Sequence, residues 1–200
     1  MGKIGVVSND AGGAVVLASY LKINEMDFVS SIHGPAIQVF NQFFQEVHND
    51  LEENLPNIDT LITSTSSIAL HEVEFIKRSK LLGIRTISIL DHWVNYADRF
   101  RRNGYEYLPD EIWVNDPAAF RLAKATFENV SIIQIENPYK IYLGSQKSFI
   151  NFTGRNKILY CAEPIKNAEF DEYIAIEETF KIFANNFNEF NFVIKPHPTG

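Results

Sequence analysis

The segment Val193-Ile194-Lys195-Pro196-His197-Pro198 joins an apolar run to a cationic corner. Pro196 and Pro198 fix the backbone on both sides of His197 and remove two N–H donors that would compete with the imidazole. His197 and Lys195 are therefore expected to meet an anion, with His197 donating to a phosphate oxygen. The plainer alternative is a rigid turn bearing an exposed His. Asp91-His92-Trp93 is a second constellation. A His beside a carboxylate can accept or donate a proton near neutral pH, and the face of Trp93 suits stacking on a sugar ring. Adjacent side chains seldom point the same way, so Asp91 and His92 need not act as a dyad. A His satisfied by a loop carbonyl, with Trp93 covering a sheet edge, is the rival reading.

Three further clusters carry small or polar residues. Asn9-Asp10-Ala11-Gly12-Gly13 sets a glycine pair at a helix start, where free N–H groups and a partial positive charge can receive a phosphate. Asp10 is either the cap of that helix or a general base that orients a substrate hydroxyl. The dinucleotide fingerprint G-x-G-x-x-G is absent. Thr63-Ser64-Thr65-Ser66-Ser67 supplies five hydroxyl residues, more than one helix cap needs. Ser66 or Ser67 is the expected cap, and the surplus at Ser64, Thr65 and Ser66 could hydrogen-bond a sugar or phosphate. Ser31-Ile32-His33-Gly34-Pro35 adds His33. His48 and His71 look scattered. No H-x-x-x-H or C-x-x-C spacing occurs, so no metal site is expected.

The elements that must position these clusters follow from apolar periodicity. Strand-length runs at residues 4–8, 27–32, 58–63, 84–90, 111–114 and 130–135 alternate with helix-period segments at 12–23, 36–49, 68–82 and 117–127. The run at 84–90 lacks polar alternation, as expected for a strand covered on both faces. The alternation predicts an α/β protein with a parallel sheet and helices on both faces. The polar clusters follow the strands, so parallel strands would gather them on one edge of the sheet, where ligands of open α/β folds bind. Residues 138–156 turn polar and read as a linker. A second strand–helix–strand unit is expected at 157–161, 168–186 and 191–195. The expected organisation is an N-terminal Rossmann-like domain at 1–137, the linker, and the start of a second Rossmann-like domain at 157–200. A strand at 191–195 needs something after it to cover its sheet, so the 200 residues are expected to be the front part of a longer protein.

Bulk properties narrow the function classes. The apolar fraction of 46% with 22% charged residues is that of an ordinary globule. The net charge of −7 argues against a nucleic-acid partner. One Cys, Cys161, cannot form an internal disulfide, which points to a reducing cytoplasm. No apolar run reaches the roughly 18 residues of a spanning helix. Arg99-Phe100-Arg101-Arg102, with Tyr96, Tyr105 and Tyr107 nearby, is the dense basic and aromatic patch. It is expected to be a solvated helix face paired with Asp98, Glu106 and Asp110. The alternative is contact with an anionic acceptor or the inner face of a membrane.

Taken together, the Asp10 loop, the strand-end clusters and the terminal Lys195-Pro196-His197-Pro198 corner resemble the two-domain GT-B glycosyltransferases. The likeness is to surface-polysaccharide types with a His-Pro motif: polysialyltransferases, capsule Kdo transferases and teichoic-acid glycerophosphotransferases. The resemblance covers the chain as architecture and short stretches as motif. It implies a metal-independent transferase with no cofactor beyond a nucleotide-activated donor, acting on a glycan or lipid-linked acceptor. It further implies that His197 contacts the donor phosphate and that Asp10 is the base; the residue chemistry adds Lys195, Gly12 and Gly13 on the phosphate side and His92 as the alternative base. Asn9, His33, Ser64, Thr65, Ser66, Asp91 and Trp93 would then contact the acceptor. The acidic-acidic-Gly motif of polysialyltransferases is replaced here by Asn9-Asp10-Ala11-Gly12-Gly13. The same scaffold also serves sugar-nucleotide epimerases and hydrolases, and a non-catalytic binding module is the remaining alternative.

Overall fold

A computed structural model describes residues 2–66, 70–146, 156–161, 172–183 and 190–195. The chain divides into two compact units, 1–147 and 148–200. The first is a Rossmann-like α/β unit. Its strands are β1 (Ile4–Ser8), β2 (Phe28–Ile32), β3 (Thr60–Thr63), β4 (Arg85–Leu90), β7 (Glu111–Val114) and β8 (Ser131–Gln134). They form one sheet in the order β2-β1-β3-β4-β7-β8, and every neighbouring pair is parallel. The helices are α1 (Ala11–Ile23), α2 (Ala36–Phe43), α3 (Leu51–Asn54), α4 (His71–Leu81), α5 (Pro117–Thr126) and α6 (Pro138–Ser145).

Alternation along the strands divides the core in two. Val7, Leu61, Leu90, Ile112 and Val114 join Phe75, Ile76, Ala119 and Phe127 on one face. Ile4, Val6, Ile62, Ile87 and Ile89 join Leu17, Leu21, Val39 and Phe40 on the other. Burial of each large side chain contributes about 1.5–3 kcal/mol.

Helix starts follow local chemistry. Asp116 accepts from the N–H groups of Ala118 and Ala119, and Asn137 from those of Tyr139 and Lys140, each followed by a Pro whose missing N–H costs nothing there. The segment expected to open the linker is thus α6, which packs on the α1–α2 face through Phe43 and Tyr142. Helix α2 ends at Phe43, six residues short of expectation, because Phe44 turns to an extended backbone and packs edge-on against Phe28. A short antiparallel hairpin, β5 (Arg101–Arg102) and β6 (Tyr105–Glu106), interrupts the region after β4. Asn103 and Gly104 take φ values of +52° and +81°, the turn that an Asn-Gly pair favours.

In the second unit β9 (Asn156–Cys161) and β10 (Phe190–Lys195) pair in parallel, with α7 (Glu172–Phe183) between them in sequence. Lys195 is exposed at the end of β10. His197 lies outside the described residues. Among the described residues no helix is long and apolar enough to cross a membrane.

Candidate functional site

The chain runs from β1 outward to β2, then returns across β1 to continue through β3, β4, β7 and β8. The order therefore reverses between β1 and β3, and the carboxyl ends of those strands border the crevice where such sheets bind ligands. The loops after β1, β2, β3, β4 and β7 all emerge on this edge, carrying Asn9, His33, Ser64 to Ser66, Asp91 to Trp93 and Asp116.

The floor of the crevice is a buried polar network. The Ser8 and Ser64 hydroxyls are hydrogen-bonded at 2.7 Å across the β1–β3 gap. Glu72, in the first turn of α4, reaches beneath both loops. Its Oε1 accepts the Asn9 N–H at 3.1 Å and the Ser64 hydroxyl at 3.4 Å, while its Oε2 is buried with no hydrogen-bond partner. The residue is 2% exposed. Burial pushes its carboxyl up to about 7, against the opposing pull of the Asn9 N–H, the Ser64 hydroxyl and Arg102. Glu72 is thus a proton-holding group at the centre of the switch point. Sequence reasoning missed it because its partners lie 8 and 63 residues away.

Arg99 stood out in the sequence as part of the basic patch, but its burial and partners did not. The basic patch was expected on a solvated helix face, yet Arg99 is 7% exposed. Its guanidinium donates to Asp91 Oδ1 at 3.0 Å, Thr65 Oγ1 at 2.8 Å and the Val94 carbonyl at 3.2 Å. Arg102 donates to the Ser66 carbonyl at 3.0 Å. Of the expected surface pairs, Arg101 meets Glu106 at 3.5 Å. The fully buried Phe100 anchors the segment, and Arg99 and Arg102 hold the β3 loop through Thr65 and the Ser66 carbonyl.

These bonds sort the predicted residues. Ser64 and Thr65 are buried and their hydroxyls are engaged inside the protein. Ser66 is buried and does not cap α4: Leu70 occupies the cap position with no side-chain bond, and Ser67 is outside the described residues. Asp10 is exposed and caps α1 by accepting from the Ala11 N–H at 2.9 Å. Asp91 turns inward to Arg99, whereas His92 is exposed and its Nδ1 accepts the Trp93 N–H at 3.0 Å. The two therefore diverge and form no dyad. Trp93 is 59% exposed, with its Nε1–H tied to Asp116 at 2.9 Å, so the indole stands up from the β4 tip.

Gly12 and Gly13 serve close packing. A Cβ on Gly12 would stand 2.5 Å from Asp91 Oδ2, and one on Gly13 would stand 2.8 Å from Ser64 Cβ. The helix start therefore lies directly on the Asp91 and Ser64 side chains. Because Arg99 holds Asp91 in place, Gly12→Ala cannot be absorbed by a free side-chain swing. It is expected to lower stability by about 1–3 kcal/mol in chemical unfolding.

The solvent-facing part of the crevice is a pocket of about 520 Å³ lined by Asn9, His33, Leu70, His71 and Glu74. His33 and His71 meet edge to face with ring centroids 4.1 Å apart. Burial and the neighbouring His33 hold His71 below its ordinary value, with Ser31 and Glu52 opposing. Among the described residues no cluster of three or more His, Cys, Asp or Glu is arranged to hold a metal ion. A second pocket of about 520 Å³ lies at the opposite edge, lined by Gly2 to Ile4 and Glu25 to Val29, away from the loops described above.

The chain matches no known protein-family model and no curated protein.

Proposed function

We propose that the chain belongs to a glycosyltransferase that moves a sugar or polyol phosphate from a nucleotide-activated donor to a glycan or lipid-linked acceptor in surface-polysaccharide synthesis. The observation that supports this reading is that five loop ends share the carboxyl edge of the sheet, around the β1–β3 switch point. On that edge Asn9, His33 and His71 line a pocket and His92 and the exposed Trp93 stand on the β4 loop, offering hydrogen bonds and a stacking face to a polyhydroxyl ligand. Such a ligand needs several directional polar partners and one apolar face, which is what these side chains supply. The first unit would hold the acceptor. By the GT-B resemblance, His197 and Lys195 of the second unit would stabilise charge growing on the donor's leaving phosphate. The acceptor hydroxyl attacks the donor's anomeric carbon, or the phosphorus of a polyol-phosphate donor, as a base in the crevice takes its proton.

The reading is tested with the full chain and a panel of UDP-, CMP- and CDP-linked donors, following nucleotide release with and without added oligosaccharide. Acceptor-dependent release is the expected result, and His197→Ala is expected to lower it roughly 10²-fold or more, as removal of one charge-stabilising donor does. Free sugar or an epimer formed without acceptor would replace this reading with a hydrolase or epimerase.

A further inference from the structure

The β2 end carries an arrangement that the reading above does not use. Ser31 Oγ is 3.2 Å from His33 Nε2 and 2.9 Å from His71 Nε2. One hydroxyl thus faces two imidazole nitrogens, and it has a single proton to give. We propose that His33, Ser31 and His71 form one proton-sharing unit at the mouth of the Asn9 pocket, and that His33 is the base which takes the acceptor hydroxyl proton.

Geometry sets the direction of the chain. His71 is half-buried, with His33 edge-on to one side and the Phe75 ring 5.1 Å away on another. A positive charge there is disfavoured, so neutral His71 is the natural acceptor. Ser31 O–H then donates to His71 Nε2, and the Ser31 lone pair receives His33 Nε2–H. That leaves Nδ1 of the exposed His33 as the basic atom, on a ring that lines the pocket with Asn9. Hydrogen bonding to one ring nitrogen selects the tautomer and so the basicity of the other. The charged groups near the unit are Glu74 on the pocket wall and Glu52 on α3, the latter paired with Arg78 at 2.7 Å.

The step balances. The acceptor oxygen forms a bond to the donor's anomeric carbon while the carbon–oxygen bond to the nucleotide phosphate breaks, and its electron pair leaves with the phosphate. The acceptor proton goes to His33 Nδ1. The imidazolium charge stays on the exposed His33, whose Nε2–H keeps its hydrogen bond to Ser31 Oγ while Ser31 donates to neutral His71. This assignment rests on the transferase reading for its substrate. Asp10 is committed to capping α1, and the Nδ1 of His92 is committed to a backbone N–H.

Two measurements on the full chain test it. The first is the ring-nitrogen NMR signature near neutral pH. His33 is expected in the Nε2–H form and His71 in the Nδ1–H form, and Ser31→Ala is expected to erase both preferences while leaving the fold intact. Identical tautomers in the wild type and Ser31→Ala would overturn the unit. The second is acceptor-dependent turnover. His33→Gln is expected to lower kcat about 10²–10⁴-fold, the range of general acid–base groups, with donor KM unchanged. Ser31→Ala is expected to shift the acid limb of the pH–rate profile, and Ser31→Thr to restore it. Undiminished turnover in His33→Gln would remove His33 as the base while leaving the transferase reading standing. If the wild type transfers nothing, the transferase reading and the base role fall together, and the tautomer result alone decides the proton-sharing unit.

Discussion

Raising the pH from about 4.5 to about 7 is expected to destabilise the first unit, because the folded Glu72 holds its proton to higher pH than the unfolded chain does. The folded carboxyl is pushed from an ordinary 4.5 to about 7 by burial. Below about pH 4.5 both the folded and the unfolded chain hold the proton, and the contribution is fully present. Between 4.5 and about 7 the unfolded chain releases it first. Stability then falls with rising pH and the contribution is gone above about 7. At 1.36 kcal/mol per pH unit the gap amounts to about 3 kcal/mol. Glu72→Gln keeps an oxygen for the Asn9 N–H and cannot ionise, so it is expected to remove this part of the slope. Glu72→Ala leaves the Asn9 N–H without its acceptor, while the Ser64 hydroxyl keeps its partner Ser8, and is expected to cost about 1–3 kcal/mol below pH 5. Urea unfolding of the three proteins at about pH 5 and about pH 8 is the check. Equal slopes in the wild type and Glu72→Gln would show that Glu72 does not carry the proton.

The second large effect is expected at the Arg99–Asp91 pair. Their side chains are 8% and 12% exposed, and Arg99 also holds Thr65 and the Val94 carbonyl. Removing one partner strands the other as a buried charge, which costs about 3–5 kcal/mol. Arg99→Met and Asp91→Leu are each expected to lose that much in denaturant unfolding. The double variant is expected to lose clearly less than the sum, since it leaves no charge unpaired. Additive losses would mean that the two side chains do not depend on one another. A loss below about 1 kcal/mol in Arg99→Met would put the pair in the class of exposed ion pairs. The pair closes the β4 loop over the β3 loop, so these variants are also expected to loosen the crevice.

The six parallel strands were legible because each is a short apolar run bounded by Gly, Pro, Asn or Ser, and β1 and β7 fall at the expected residues. Helix ends were less legible where a distant partner intervenes. Phe40, Phe43 and Val47 carry the helical period past the true end of α2, yet the chain leaves the helix at Phe44. Asn49 then exchanges two hydrogen bonds with the backbone of Ile32 and Asp50 takes the Ser30 N–H. Those side chains occupy the open edge of β2, a task that no local pattern announces. The hairpin at Asn103-Gly104 did carry a local signal, the Asn-Gly pair itself, and could have been read. In the site, sequence order brought Asn9, Ser64 and Asp91 to one edge through the parallel sheet alone. It could not reveal that Glu72 and Arg99 hold them, because both depend on side chains from other loops. His71 looked scattered for the same reason: its partner Ser31 is 40 residues away.

The central claim is that ligands enter at the β1–β3 switch point. Peptide-level amide hydrogen exchange of the full chain, with and without a pool of short oligosaccharides at millimolar concentration, tests it most directly. Slowed exchange in segments 8–12, 31–35, 63–66 and 90–93 is the predicted result. Protection confined to residues 2–4 and 25–29, around the pocket at the far edge, would contradict it.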